Sequence, residues 1–170
     1  MSASEFTRMI DLRQVGDQPV VLEPDEVERR RLAGRFAITA IDAMKAELQL
    51  SVDGTTVNVE GRLTARIVQA CAISGEDFPV AIDDPIELRF VHPTTFQPDE
   101  EIEITADACD EIEYEGTTFD LGEAIAQTLA LAIDPFAEGP DADRARTEHG
   151  LGGEVATGAF AALAALKTKD

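Results

Sequence analysis

Few residues in this chain are equipped for chemistry, and their spacing withholds the usual partners. Cys71 opens the run Cys71-Ala72-Ile73-Ser74, which has the length of a metal-binding C-x-x-C but lacks the second thiolate. A lone thiolate cannot assemble a four-ligand zinc site. Cys71 falls on the same strand face as Ile67 and Ile73, so it reads as a small buried hydrophobe. Cys109 lies beside Asp110 and Glu111, a setting that disfavours a thiolate. His92 and His149 fall in polar stretches, whereas a catalytic histidine needs a held geometry and an orienting partner. No serine sits in a G-x-S-x-G elbow, and no glycine-rich loop leads into a lysine. The expectation is a protein without metal, cofactor or catalytic centre.

What remains is charge. The 170 residues carry 34 acidic and 14 basic side chains, a formal net charge of −20. Residues 1–66 hold 11 acids and 9 bases, residues 67–150 hold 21 acids and 3 bases, and residues 151–170 hold two of each. The middle stretch repels nucleic-acid phosphates, which are bound by Lys and Arg displacing counterions. It reads as a solvated surface, as a docking face for a basic partner, or as a mimic of nucleic acid. Asp99, Glu100, Glu101 and Glu103 are candidate contacts there. Against this trend, Arg29, Arg30, Arg31 and Arg35 fall within seven positions. On a helix they cannot all share one face, because neighbours sit ~100° apart, and Glu28 is placed to pair with Arg31 or Arg35. With Arg62 and Arg66 they are candidates for a phosphate or acidic-surface contact; a solvated helix end is the plainer reading.

The elements that must position these residues follow from periodicity. A short strand is expected over residues 5–12. Glu23-Pro24-Asp25-Glu26 predicts the start of a helix over 24–33, with Pro24 in the first turn, arginines in the last turn and Gly34 as the left-handed residue that ends it. Ala46, Leu48, Leu50 and Val52 alternate with polar residues, which predicts a half-buried strand. Asp53-Gly54 predicts a two-residue turn that places Val52 opposite Thr55, Leu50 opposite Val57 and Leu48 opposite Val59. The return strand keeps Val57, Val59, Leu63, Ile67 and Cys71 on one face and Arg62 and Arg66 on the other. Its length predicts a bend or bulge, with Gly61 as the natural site. Ser74-Gly75-Glu76-Asp77 turns the chain into a strand through Phe78, Val80 and Ile82. A further strand through Ile86, Leu88 and Phe90 is expected after Asp83-Asp84-Pro85, and short ones near Ile102, Ile104 and Ile112. Asp120 and Glu123 predict a capped helix, apolar on nearly every face and therefore buried, that Pro135 stops.

These elements make an α+β domain: a curled, mainly antiparallel sheet or partly open β-barrel, with a buried helix near 120–133 and a short N-terminal helix. Residues 1–136 read as one domain. Residues 137–170 read as a flexible acidic linker followed by a short C-terminal helix through Phe160, Leu163 and Leu166. No stretch approaches the ~20 apolar residues of a membrane span. Glu5, Arg8, Asp11 and Arg13 interrupt any apolar signal centre, so a cytoplasmic protein is expected.

Three motifs carry a family resemblance. Gly61-Arg62-Leu63-Thr64-Ala65-Arg66-Ile67-Val68-Gln69-Ala70-Cys71 resembles the central strand of the YceD family. Phe119-Asp120-Leu121-Gly122-Glu123, continuing to Leu129-Ala130-Leu131 and Pro135, resembles its D-L helix. Pro24-Asp25-Glu26-Val27-Glu28-Arg29, leading to Leu32-Ala33, is similar to its N-terminal helix, and residues 160–167 resemble the endings of its alphaproteobacterial branch. The resemblance implies a bacterial, cytoplasmic, non-enzymatic protein that supports accumulation of large-subunit (23S) rRNA at synthesis, processing or early ribosome assembly. Its implied partners are a ribosomal or assembly protein, large-subunit rRNA, or both, with no membrane and no DNA. Ser74 replaces the second cysteine of many members, and the C-terminal cysteines of some are missing, so metal binding is not carried over. Two mechanisms fit: the acidic stretch holds a basic ribosomal protein, or the arginines touch RNA while the acids point away. Outside that class stand a general acidic interaction adaptor and, third, a small-molecule enzyme.

Overall fold

The structure, a computed structural model, describes residues 4–93 and 111–151. The chain forms two units, Met1–Gln69 with Pro79–Asp134, and Ala70–Phe78 with Pro135–Asp170. In chain order the first holds strands β1 (Met9–Asp11) and β2 (Val20–Leu22), helix α1 (Glu26–Arg35), strands β3 (Ala40–Asp53) and β4 (Thr56–Ala70), most of β5 (Asp77–Val91), strands β6 (Glu111–Glu113) and β7 (Thr118–Asp120), and helix α2 (Leu121–Ala132). The main sheet runs in the order β2-β3-β4-β5-β6, and β1 pairs with β7 in a separate two-stranded sheet. The architecture is α+β, and the five-stranded sheet is open rather than closed into a barrel.

The β3–β4 hairpin is the backbone of this unit. Its turn residues are Gly54 and Thr55, because Asp53 pairs with Thr56. The expected pairing is therefore two residues out: Val52 faces Val57 and Leu50 faces Val59. The physical reason lies at Gly54, with φ of +64°. A two-residue turn with glycine first twists the way the strands do, and this register sets aliphatic against aliphatic. A shift of two keeps every residue on its expected face, and Val57, Val59, Leu63, Ala65 and Ile67 are all buried.

The expected irregularity at Gly61 is elsewhere. The ladder passes through Leu48 and Gly61 unbroken, and the register shifts instead between Ile41 and Ala43. Ile41 is buried at an odd position while Met44, Ala46, Leu48 and Leu50 are buried at even ones. One extra residue, Asp42, is what lets both sets face the core. Gly61 has another purpose. A Cβ there would stand 2.1 Å from the Glu47 carbonyl oxygen, so only glycine permits so close an approach of β3.

Further corrections follow. Asp83-Asp84-Pro85 does not turn the chain, and β5 runs through it as one strand with Ile82 and Ile86 both buried. Among the described residues β6 meets β5 only at Arg89, Phe90 and Val91, so Pro85 stands where β5 has one neighbour, a position that tolerates proline. The β5–β6 pairing is parallel. The sequence reading missed β2, which pairs with β3 at residues 46–48. Helix α1 starts after Asp25, not at Pro24: Asp25 accepts from the Glu28 N–H, and the Glu28 carboxylate accepts from the Asp25 N–H. That reciprocal box outweighs the proline preference. Gly34 lies inside the helix, and the left-handed residue is Ala37, φ 54°.

Helix α2 has the expected cap, the Asp120 carboxylate accepting from the Glu123 N–H. Leu121, Ala124, Ile125, Ala126 and Leu129 are buried, whereas Leu131 is 89% exposed, so only one side of the helix enters the core. The N-terminal segment crosses its first turn: Asp120 also accepts from the Arg8 N–H, Leu121 donates to the Arg8 carbonyl, and a Cβ at Gly122 would stand 2.6 Å from the Phe6 carbonyl oxygen. Tyr114 donates from its hydroxyl to the Thr55 carbonyl at 2.5 Å, tying the hairpin turn to the chain beyond β6.

In the smaller unit, Cys71 and Glu76 close a tight turn, with the Cys71 N–H on the Glu76 carbonyl and the Gly75 N–H on the Cys71 carbonyl. The Ala72 N–H donates to Ala137, and Gly139 packs under the Phe78 ring so closely that a Cβ would stand 2.9 Å from it. Helix α3 (Ala142–Glu148) lies in a stretch whose composition reads as linker, with Ala142 and Ala145 buried. Arg144 pairs with Glu76 and Asp141, and Arg146 with Glu138 and Asp143. The expected strand at 102–104 and the expected tail helix lie outside the described residues.

Two pairs of substitutions test this packing by denaturant titration. Leu63→Ala empties a fully buried site and is expected to cost about 2–5 kcal/mol, against about 0.5 kcal/mol for Arg62→Ala on the other face. Gly61→Ala is expected to cost about 2–3 kcal/mol through backbone collision. Gly34→Ala, in an open helical position, should stabilise by about 0.5–1 kcal/mol. Equal effects within either pair would contradict the assigned faces.

Candidate interaction surface

The candidate arginines do not converge. Arg35, in the last turn of α1, pairs through both Nη atoms with the Glu123 carboxylate at 2.7 and 2.9 Å and also reaches Glu5 at 3.1 Å. Glu123 further accepts from the Ser4 hydroxyl and the Gln127 amide. The Arg35 guanidinium, helped by those two donors, holds the Glu123 carboxyl down to about 2. Arg8 pairs in the same two-pronged way with Glu28 and lies 4.5 Å over the Phe6 ring. Its guanidinium holds the Glu28 carboxyl below the usual range. Arg30 pairs with Glu26, and Arg62 pairs with Asp83 at 2.5 and 2.9 Å. Arg31 acts on Glu28 through its charge alone. Arg66, exposed on β4, has no ion pair among the described residues.

The acids are in surplus. By strand parity Glu47, Asp53, Glu60, Asp83, Glu87 and Glu113 share the outer face of the sheet, all exposed. Three of its cations are committed, Lys45 to Glu47, Arg62 to Asp83 and Arg89 to Glu111, and Arg66 is not. Asp53, Glu60, Glu87 and Glu113 have no such partner among the described residues. Asp99, Glu100, Glu101 and Glu103 lie outside them, as does Cys109.

One concave feature adjoins this surface. A groove of about 570 Å³ runs between the start of α1 and strands β3, β4 and β5. Ala43 and Ala81, on the same sheet face as Lys45, Arg66 and Asp83, belong to its apolar lining, and Glu23, Asp42, Arg29, Lys45, Arg66 and Asp83 supply charges of both signs. Arg29 donates from Nη1 to the Pro24 carbonyl at 2.9 Å, while its buried Nε has no hydrogen-bond partner. A second hollow of about 500 Å³ shares Arg29 and Asp42 and continues along α1 past Gly34. Sequence reading singled out Arg29 and Arg66 but missed Asp42 and the groove. The parity slip between Ile41 and Met44 was the available signal.

Cys71 is buried as expected, with a feature the sequence reading did not foresee. Its sulfur accepts from the Ile73 and Ser74 N–H groups at 3.4 Å. Hydrogen bonds from Ser74, side chain and backbone, pull the thiol down to about 7. Among the described residues no three His, Cys, Asp or Glu side chains gather as a metal site would need. No described helix is long and apolar enough to cross a membrane.

The central strand, the capped α2 and the residues between them fall within one family match. A family profile described as Large ribosomal RNA subunit accumulation protein YceD covers residues 59–167. The chain belongs to the YceD family. No curated protein and no solved structure matches it. The match takes in most of β4 and all of β5 and α2, and thus Arg62, Arg66 and the acidic stretch, whereas α1 and its arginines precede it. The family's description ties YceD proteins to accumulation of the large ribosomal RNA subunit.

The Arg35–Glu123 contact gives a pH test. Unfolded, Glu123 titrates near its ordinary 4.5; folded, near 2. As pH falls through that window the unfolded chain binds the proton first, so this contribution is whole above about 4.5 and is lost toward 2. Glu123→Gln is expected to lower stability at pH 7 by about 1–3 kcal/mol. It should also flatten the decline between pH 4.5 and 2 in urea titrations across pH. An unchanged slope would show that the contact does not hold in solution.

Proposed function

We propose that this YceD-family chain supports large-subunit (23S) rRNA accumulation and ribosome assembly as a binding protein without catalysis, in the bacterial cytoplasm. It does so by holding a basic ribosomal or assembly protein until that protein meets rRNA. The supporting observation is the asymmetry of charge commitment. Arg8, Arg30, Arg35, Arg62 and Arg89 are engaged by acids of the same unit, while exposed acids on the outer sheet face are unmatched. Paired guanidiniums have little left to offer phosphates, and a field of net negative sign draws cations and repels polyanions. Individual exposed pairs contribute little, so the summed field acts mainly on association rate.

The test is a pull-down with mass spectrometry and RNA sequencing, followed by titrations against the enriched basic protein and naked rRNA. The basic protein is expected to bind more tightly, and to weaken as salt rises from about 0.05 to 0.2 M and the Debye length shortens to roughly 7 Å. Neutralising Asp99, Glu100, Glu101 and Glu103 together should weaken that complex; neutralising Arg29, Arg30 and Arg31 should not. Tight binding of naked rRNA, lost only in the arginine variant, would replace this reading with direct RNA contact. Absence of ribosomal components among the co-purifying material would favour a general interaction adaptor.

A further inference from the structure

The outer face of the main sheet keeps its uncommitted charges in two separate places. Helices α1 and α2 bury their apolar residues on the inner face, and among the described residues no helix covers the outer one. Along the β3–β4 hairpin, Asp53 stands beside Thr56 next to the Gly54 turn, Glu60 beside Gln49 further on, and Arg66 beside Ala43 toward the far end. Between Glu60 and Arg66 the charges are joined to one another, Lys45 to Glu47 and Arg62 to Asp83. As β5 returns along β4 with Asp83 at Arg62, Glu87 lies nearer the turn, and so does Glu113, one pair beyond Arg89 and Glu111. The four outer-face acids without an ion pair thus share the half near the turn, and Arg66 holds the other half. Six strand residues separate Arg66 from Glu60, about 20 Å. Arg66 also has room beside it. Its neighbours on this face are Ala43 and Ala81, small residues that strands otherwise disfavour, and they leave the hollow beside the guanidinium open. Charge complementarity selects what covers such a face. A nucleic-acid backbone suits Arg66 alone and is repelled by four acids; a uniform polycation suits the acids and meets Arg66 with like charge. Asp42 and Glu23 line the hollow on its β3 side, so a singly charged carboxylate arriving over Ala81 is repelled less than a phosphate. The element that covers the face of a sheet, rather than extending its edge, is a helix.

We propose that this face seats a helix of the basic protein partner and that Arg66 selects that helix by pairing with an acid on it. Lysines or arginines of the helix stand over Glu60, Glu87 and the other acids near the turn. One Asp or Glu of the same helix accepts from the Arg66 guanidinium, whose fork matches a carboxylate. At a rise of ~1.5 Å per residue, the ~20 Å between the two contacts places that acid about 13 residues from the first of the bases. A polycation lacking the acid leaves its own charge against Arg66, so Arg66 contributes specificity more than affinity. The inference rests on the reading of a basic protein partner and names the feature by which the chain tells that partner from other polycations.

The experiment titrates the full chain with two alanine-based helical peptides of about 22 residues, long enough to reach from Arg66 to the turn. Both carry lysines along one face of the C-terminal half. On that face near the N-terminus one carries glutamate and the other glutamine. Calorimetry reads the affinity, and NMR reads the place through the side-chain amide of Asn58, which shares the outer face with Glu60. Both peptides are expected to shift that amide saturably, and the wild type to bind the glutamate peptide about threefold more tightly. Arg66→Gln should abolish the preference by weakening the glutamate peptide, while the glutamine peptide binds no less tightly than before. Arg62→Gln, the same change of charge at an arginine already held by Asp83, should keep the preference. Glu60→Gln combined with Glu87→Gln should weaken both peptides alike. Preserved β3–β4 backbone amide shifts will show each variant folded. No saturable shift of Asn58, equal affinities in the wild type, or a preference that survives Arg66→Gln overturns the proposal. So does a short single-stranded RNA that binds more tightly than either peptide and is lost in Arg66→Gln. A pull-down separates the proposal from the parent reading. If the peptides show no preference while the wild type and Arg66→Gln enrich the same basic ribosomal proteins, the role of Arg66 falls and the parent reading stands. If the preference holds while no basic ribosomal protein is enriched, the parent reading falls and the role of Arg66 stands.

Discussion

The pairing of β3 with β4 is the constraint on which the rest of the larger unit depends. Two strands of 14 and 15 residues must keep their aliphatic faces on the same side along their whole length. A slip by one residue would turn Val57, Val59, Leu63 and Ile67 to solvent. Three local features hold the register. Gly54 sets the turn, Gly61 lets β3 approach without a Cβ in the way, and the extra residue at Asp42 corrects the phase where β3 begins. Once that face is fixed, Leu32 and Ala33 of α1 and the buried side of α2 have a surface to close against, and Phe6, Phe90 and Phe119 fill the space between.

The second consequence concerns charge. A chain of net charge −20 repels itself, and compactness requires that its few cations be placed where they offset acids most effectively. Arg35 is the clearest case. It joins Glu5 near the N-terminus to Glu123 in α2, from its own place at the end of α1. Arg8 does the same between the N-terminal segment and α1. Such two-pronged, partly shielded contacts are stronger than ordinary surface pairs. Their functional corollary is subtraction: each arginine used to join elements is one fewer for binding phosphate, and the unmatched acids set the sign of the exterior.

The fold was legible where a residue's own preference and its environment agree. The alternation of Ala46, Leu48 and Leu50, the Asp120 cap and the two faces of β4 were readable because side-chain direction follows from period alone. It was illegible where tertiary contact overrides a local preference. Asp83-Asp84-Pro85 has turn composition, yet β5 runs through it as one strand beside β4. Gly34 has the chemistry to end a helix, but the capping box at Asp25 starts α1 later and carries it to Arg35. Gly61 signalled a backbone requirement whose kind, close approach rather than bend, is set by Glu47 on another strand. The candidate arginines were identifiable as charges, but their partners at Glu5, Glu123 and Asp83 are distant in sequence, so their neutralisation was not.

The bulge at Asp42 links these points. Its structural duty is to restore phase between Ile41 and Met44, and a bulge does so by leaving one residue outside the ladder. Asp42, so displaced, is exposed, a setting in which an acid keeps its hydration. The same displacement puts the Asp42 carboxylate at the rim of both hollows beside α1, across from Arg29. Arg29 in turn is fixed by the cap that starts α1, through its hydrogen bond to the Pro24 carbonyl. The groove is thus a geometric product of two fold-forming devices, one in β3 and one at the start of α1, rather than an addition to them. Deletion of Asp42 would leave Ile41 opposite Ile67 and Ala43 opposite Arg66 in a regular ladder, so the core faces would hold while both hollows lost the acid they share.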